Sequence, residues 1–151
     1  MLKTMRRPRI GLACAAAVSL ALGGCAVFAP PYDPTLDSKI TTAYEGVAKL
    51  AAEAEMGLYV DKSTYPGKIE TYADIQAALA VAAIRAGSQP YAAKPAQKAI
   101  DAEVAMIKGC SAQVQGLAQL HQLQGIVPNT GATTAMMVSC DQAAKAVTAM
   151  K

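Results

Sequence analysis

From residue 33 onward, apolar side chains recur at alternating spacings of four and three. Leu36, Ile40, Ala43, Val47, Leu50 and Ala54 form the first such stripe, while Lys39, Glu45, Lys49, Glu53 and Glu55 fall mostly on other faces. That period is the mark of a helix facing a partner. Asp33 suits the N-cap and Pro34 the first helical position, so the helix should start there and end around residues 58–60. Lys49 and Glu53, four apart, can pair across one turn. A turn is expected over 61–64. A second helix should follow from Thr64 or Tyr65, with Pro66 in its first turn and Ile69, Tyr72, Ile75, Leu79 and Ala82 or Ala83 as its stripe. Gly87 marks its end. Residues 77–84 are apolar all round and read as the most buried part of the protein.

A loop with Ser88, Pro90 and Tyr91 leads to a third helix, expected from Pro95 to about Gln124. Its stripe is drawn through Ile100, Val104, Ile107, Ser111, Val114 and Leu117 or Ala118. Gly109 and Gly116 sit inside it, where glycine costs roughly 1 kcal/mol relative to alanine. Close approach of a neighbouring helix would account for them. After a turn containing Pro128, a last helix should run from Gly131 or Ala132 to Met150 on Met136, Cys140, Ala143, Val147 and Met150. Four helices joined by short connections predict an all-α, up-down-up-down four-helix bundle. Alanine dominates the predicted core. It favours helix but buries little area, so these helices must pack closely.

The first two dozen residues follow a different pattern. Lys3, Arg6, Arg7 and Arg9 precede an apolar stretch, residues 10–22, that ends at Leu22-Gly23-Gly24-Cys25. A basic start, a short apolar run and a small-residue exit describe a secretory signal. About a dozen apolar residues fall short of the roughly 20 that cross a bilayer. Leu22-Gly23-Gly24-Cys25 resembles the lipobox of bacterial lipoproteins. The resemblance implies cleavage between Gly24 and Cys25 and a lipid on the Cys25 thiol, with Ala26 in place of aspartate implying the outer membrane. The expected organisation is a signal peptide over 1–24, a lipidated cysteine and proline-rich tether over 25–32, and the bundle over 33–151. Ala29-Pro30-Pro31-Tyr32 favours extended geometry in that tether.

Processing changes the charge and the cysteine count. The precursor carries +3, but the signal holds four of the 14 basic residues and none of the 11 acidic ones, so the remainder is near −1. A nearly neutral body offers no electrostatic case for nucleic acid. Cys14 leaves with the signal and Cys25 takes the lipid. Cys110 and Cys140 remain as an even pair in a compartment that permits disulfides, and are expected to bond.

Candidate chemistry is sparse. His121 is the only histidine, no carboxylate lies near it in sequence, and a place at a helix surface or helix end is expected. The acidic residues Asp33, Asp37, Glu53, Glu55, Asp74, Asp101 and Glu103 are expected to face solvent. The methionines are better read as core filler than as copper or haem ligands, so no cofactor is expected. Tyr59 and Tyr65 flank the first turn and are a candidate contact patch. These features point to a non-enzymatic, membrane-tethered lipoprotein that binds an envelope protein partner or supports an assembly. A periplasmic ligand or metal carrier, or a hydrolase with carboxylates facing across helices, is the alternative.

Overall fold

The computed structural model describes residues 30–91 and 94–149. The expected signal peptide, the cleavage point at Gly24 and the lipid site at Cys25 lie outside them, as do Cys14, Phe28 and Met150. Four helices make up the fold: α1 Pro34–Glu55, α2 Ile69–Gly87, α3 Lys94–Gln124 and α4 Ala132–Thr148. A 3-10 helix, Lys62–Lys68, precedes α2. Among the described residues no helix is long and apolar enough to cross a membrane.

The start of α1 is as its sequence predicts. Asp33 Oδ1 accepts from the backbone of Thr35 at 2.8 Å and Leu36 at 3.2 Å, and Pro34 follows at the first position. The same carboxylate takes Arg85 from the far end of α2, at 2.9 Å on Oδ2. All six stripe positions of α1 are buried. The helix stops earlier than its apolar pattern suggests, because Gly57 takes a positive φ of 78°. Gly57 N–H then bonds Ala54 O, and Leu58 N–H bonds Glu53 O, a Schellman closure.

Antiparallel order follows from which ends meet. Asp33 at the start of α1 meets Arg85 in the last turn of α2. Glu53 near the end of α1 holds Lys68, just before α2, at 3.0 Å. Glu55, the last residue of α1, accepts from Asn129 N at 3.0 Å and from the Thr133 hydroxyl at the start of α4. Each helix packs on its sequence neighbours, and α4 closes the ring against α1. The result is the expected up-down-up-down bundle.

Small residues let the helices approach. A Cβ on Gly46 would sit 2.7 Å from Ile75 Cγ1, so α1 and α2 touch through that glycine. Cys110 and Cys140 lie at disulfide distance with Cα atoms 4.6 Å apart, joining α3 to α4 as expected. A Cβ on Gly109 would make ordinary contact with Ser139 of α4 at 3.5 Å and one on Gly116 would meet nothing, so helix approach requires glycine at neither position. Between α2 and α3, Gln76 and Ser111 bond reciprocally: Gln76 Nε2 donates to Ser111 O at 2.8 Å, and Ser111 Oγ donates to Gln76 Oε1.

Three expectations need correction. Residues 77–84 are not the most buried part: Ala78, Leu79 and Ala82 face inward, but Val81 is exposed and Ile84 is 71% exposed. In a ring of four helices each still presents an outer face, whatever its composition. The Lys49–Glu53 ion pair does not form among the described residues; Glu53 turns to Lys68 instead. The seam of α3 runs through Ile100, Glu103, Ile107, Cys110, Val114, Leu117 and His121, with Val104 and Ser111 only half-buried beside it.

Candidate functional site

Four features could carry function: an aromatic cluster around His121, a groove beside it, an apolar surface at the same end of the bundle, and buried polar groups at the opposite end.

His121 lies in the last turn of α3, at the helix end its sequence suggests, but it is fully buried rather than at the surface. Its Nε2 lies 2.8 Å from Thr64 Oγ1, and its Nδ1 lies 3.2 Å from the Tyr72 hydroxyl. The Thr64 hydroxyl donates its one proton to Asp61 O at 2.6 Å. Toward His121 it can therefore only accept, which assigns the proton to Nε2 and leaves Nδ1 to accept from Tyr72. Both ring nitrogens are thus occupied in the neutral form, and no lone pair is left for a metal. Burial, and secondarily the Lys68 charge, holds the imidazole pKa below its ordinary value.

Tyrosines enclose the ring. Tyr59 lies against it with centroids 4.8 Å apart, and Tyr65 meets it edge-on at 5.5 Å. Tyr59 is itself buried, and its hydroxyl donates to Glu53, which also holds Lys68. The bond from Tyr59, followed by that from Lys68, keeps the Glu53 carboxyl ionised below its usual range. Burial, then the Glu53 bond, pushes the Tyr59 phenol up. The expected Tyr59–Tyr65 contact patch is therefore corrected. Tyr59, from the turn after α1, is interior and Tyr65, from the 3-10 helix, is half-buried, because both rings pack against His121 in the last turn of α3.

Beside this cluster a groove of about 420 Å³ opens between α2 and α3, lined by Tyr65, Ile69, Tyr72, Gln76, Val114 and Ala118 among others. Two of its polar groups are already engaged, Gln76 with Ser111 and Tyr72 with His121, and Gln115 also lines it. Among the described residues no group of three or more His, Cys, Asp or Glu side chains comes together.

The turns outside the cluster are interlocked. Ile126 N–H bonds Tyr59 O at 2.6 Å, and Gly125, at φ 83°, lies so close to Val60 that a Cβ would meet its carbonyl oxygen at 2.2 Å. Around this junction Met56, Leu58, Val60, Leu123 and Val127 are all exposed, Leu123 by 74%. Sequence reasoning did not single out this surface. Its signal is apolar residues placed in turns, where no partner helix can cover them.

At the opposite end, Glu103 is 4% exposed and Gln89 is 8% exposed. Neither carboxylate oxygen of Glu103 and neither amide atom of Gln89 has a hydrogen-bond partner among the described residues. Burial, with the Asp33 charge adding to it, pushes the Glu103 carboxyl up to about 7. Its expected solvent-facing position is wrong. The alternating spacing from Ile100 to His121 places it on the seam, and only its charge argued otherwise.

These elements define an all-α bundle with an aromatic-sealed end and an apolar rim around that seal. No family model, curated protein or solved structure matches the chain.

Proposed function

We propose that the protein is a lipid-anchored envelope protein, held through Cys25 at the outer membrane on its periplasmic side, that acts by binding another protein and not by catalysis. The anchor rests on the lipobox-like Leu22-Gly23-Gly24-Cys25. The binding role rests on one observation above all: five large apolar side chains stand exposed on and beside two interlocked turns. Their combined exposed area, roughly 500 Å², is comparable to the largest apolar patch of an ordinary monomer, which is often functional. The chemistry beneath points the same way, since His121 spends both nitrogens on packing hydroxyls.

Gradient sedimentation of the detergent-extracted membrane protein tests this reading. The wild type should migrate in an assembly larger than the single chain. A variant with Leu58→Asp and Val127→Asp should fall to monomer while keeping its helical circular dichroism. Identical migration of the two would overturn the binding role. The groove between α2 and α3 supports a second reading, a carrier for a small apolar ligand. Saturable binding of an apolar fluorophore, lost on Ala118→Arg, would favour it.

A further inference from the structure

We infer that the pocket at the tether end of the bundle binds the headgroup of a phospholipid that carries a primary ammonium and a phosphodiester. The lipid as source rests on the lipid-anchor reading above; the headgroup chemistry rests on the pocket alone.

The pocket lies between the chain entering α1 and the loop leaving α2, and holds about 330 Å³. Its charged lining is one anion and one cation, Asp33 and Arg85, bonded to each other. Such a pair has no net charge to attract a simple ion, but its two ends suit a ligand that carries both signs. Each partner also keeps bonding capacity. Asp33 Oδ2 accepts only Arg85 Nε among the described residues, at 2.9 Å, and a carboxylate oxygen can take a second donor. Arg85 gives Asp33 one N–H from Nε and one from a terminal nitrogen, which leaves further donors on the guanidinium.

The neighbouring polar groups complete the match. Ser88 Oγ donates its one proton to Arg85 O at 3.0 Å, so toward a ligand it can only accept. Gln89 is 8% exposed, and neither atom of its amide has a partner among the described residues. A ligand that draws this amide toward it satisfies a donor and an acceptor that are otherwise buried unpaired. Asp33 Oδ2, Ser88 Oγ and Gln89 Oε1 then face the protons of a primary ammonium. Arg85 and Gln89 Nε2 remain as donors to a phosphodiester. A quaternary ammonium has no proton to give those acceptors. A headgroup with a phosphate and no cation brings no positive charge to Asp33.

Reach selects a lipid as the source. Pro31 is part of the pocket wall, and from Cys25 to Pro31 the chain spans at most about 22 Å when fully extended. A lipid on Cys25 therefore keeps the pocket within about that distance of the surrounding headgroups. A tether so short gives an effective concentration on the order of millimolar, enough to fill a weak site. A soluble molecule of the same chemistry has no such advantage.

The test uses the full lipidated chain in phosphatidylcholine vesicles doped with phosphatidylethanolamine or phosphatidylglycerol. A photoreactive residue replaces Pro90, an exposed part of the pocket wall. Phosphatidylethanolamine adducts should exceed that lipid's mole fraction about ten-fold, and phosphatidylglycerol adducts should not. Gln89→Leu should remove about ten-fold of this preference, as for one hydrogen bond to a charged group. Its helical circular dichroism should be unchanged and its Tm equal or higher, because an unpaired buried amide is gone. Glycerophosphoethanolamine, the headgroup without acyl chains, should compete only at millimolar concentration. Adducts in proportion to mole fraction, no adduct, or a preference that survives Gln89→Leu would each overturn the inference. Competition by the soluble compound at micromolar concentration would overturn the lipid as source. The intact mass of the protein reads the anchor separately. A chain without diacylglycerol on Cys25 would remove the anchor and with it the lipid source, whereas headgroup binding lost in Gln89→Leu would still hold for the pocket.

Discussion

Glu103 is buried and neither of its carboxylate oxygens has a hydrogen-bond partner among the described residues, so its protonation should set the stability of the fold. Replacing it by glutamine keeps its size and mimics the protonated carboxyl. In the folded protein burial, with the Asp33 charge adding to it, pushes the carboxyl up to about 7 from its ordinary 4.5. A rise of that size is worth about 3 kcal/mol, at 1.36 kcal/mol per pH unit. The sign follows from proton counts. Between pH 4.5 and 7 the native state keeps a proton that the unfolded state has released, so stability falls as pH rises through that window. Below 4.5 both states are protonated and this penalty is absent; above 7 it is complete. Glu103→Gln should therefore match the wild type near pH 4 and exceed it by about 3 kcal/mol at pH 8, or roughly 10 °C in Tm. Urea unfolding followed by helical circular dichroism at both pH values measures the difference. Effects of other titrating groups cancel, because both proteins share them. A gap between the two proteins that is the same at pH 4 and pH 8 would refute the reasoning.

Other predictions follow from the same geometry. His121→Phe keeps a buried ring but leaves the Tyr72 hydroxyl without its acceptor, which should cost about 1–3 kcal/mol in urea unfolding. Because the folded-state pKa of His121 is depressed, its contribution is complete above the unfolded value of 6.5 and is lost as pH falls below it. The Phe variant should lack that acid-side loss. Replacing Cys110 and Cys140 together by alanine opens a loop with a sequence separation of 30, so it should cost about 3–4 kcal/mol, and it should abolish the mobility shift of the unreduced protein on a gel. Gly125→Ala forces a Cβ onto Val60 O at positive φ and should cost roughly 2 kcal/mol or more. Hydrogen exchange at Ile126 would then show its bond to Tyr59 O weakened.

Much of the bundle was legible because it rests on local rules. Asp33-Pro34 announces the start of α1, the four-three spacing announces its buried face, and the cysteine count left one pair to bond. Errors arose where residue type was allowed to outrank spacing. On α3 the spacing 100, 103, 107, 110, 114, 117, 121 alternates three and four without a break, and the expected stripe omits Glu103 and His121. It agrees with the seam at Ile100, Ile107, Val114 and Leu117 and is one residue off at Val104 and Ser111. The candidate site was harder to see. Tyr59, Thr64, Tyr72 and His121 are up to 62 positions apart in sequence and meet only because a 3-10 helix folds across the end of α3. The Schellman glycine at 57 was readable and was overrun, since Leu58 and Val60 prolong the apolar pattern past the true helix end.

Attachment of the bundle to a membrane through a lipid on Cys25 is the step on which the proposed role depends first. Metabolic labelling with a fatty-acid probe, combined with membrane fractionation, tests it most directly in wild type and Cys25→Ala. The wild type should be labelled and membrane-bound, and the Cys25→Ala protein unlabelled, released from the membrane fraction and still helical. A Cys25→Ala protein that stays with the membranes, or a wild type that takes up no label, would contradict it.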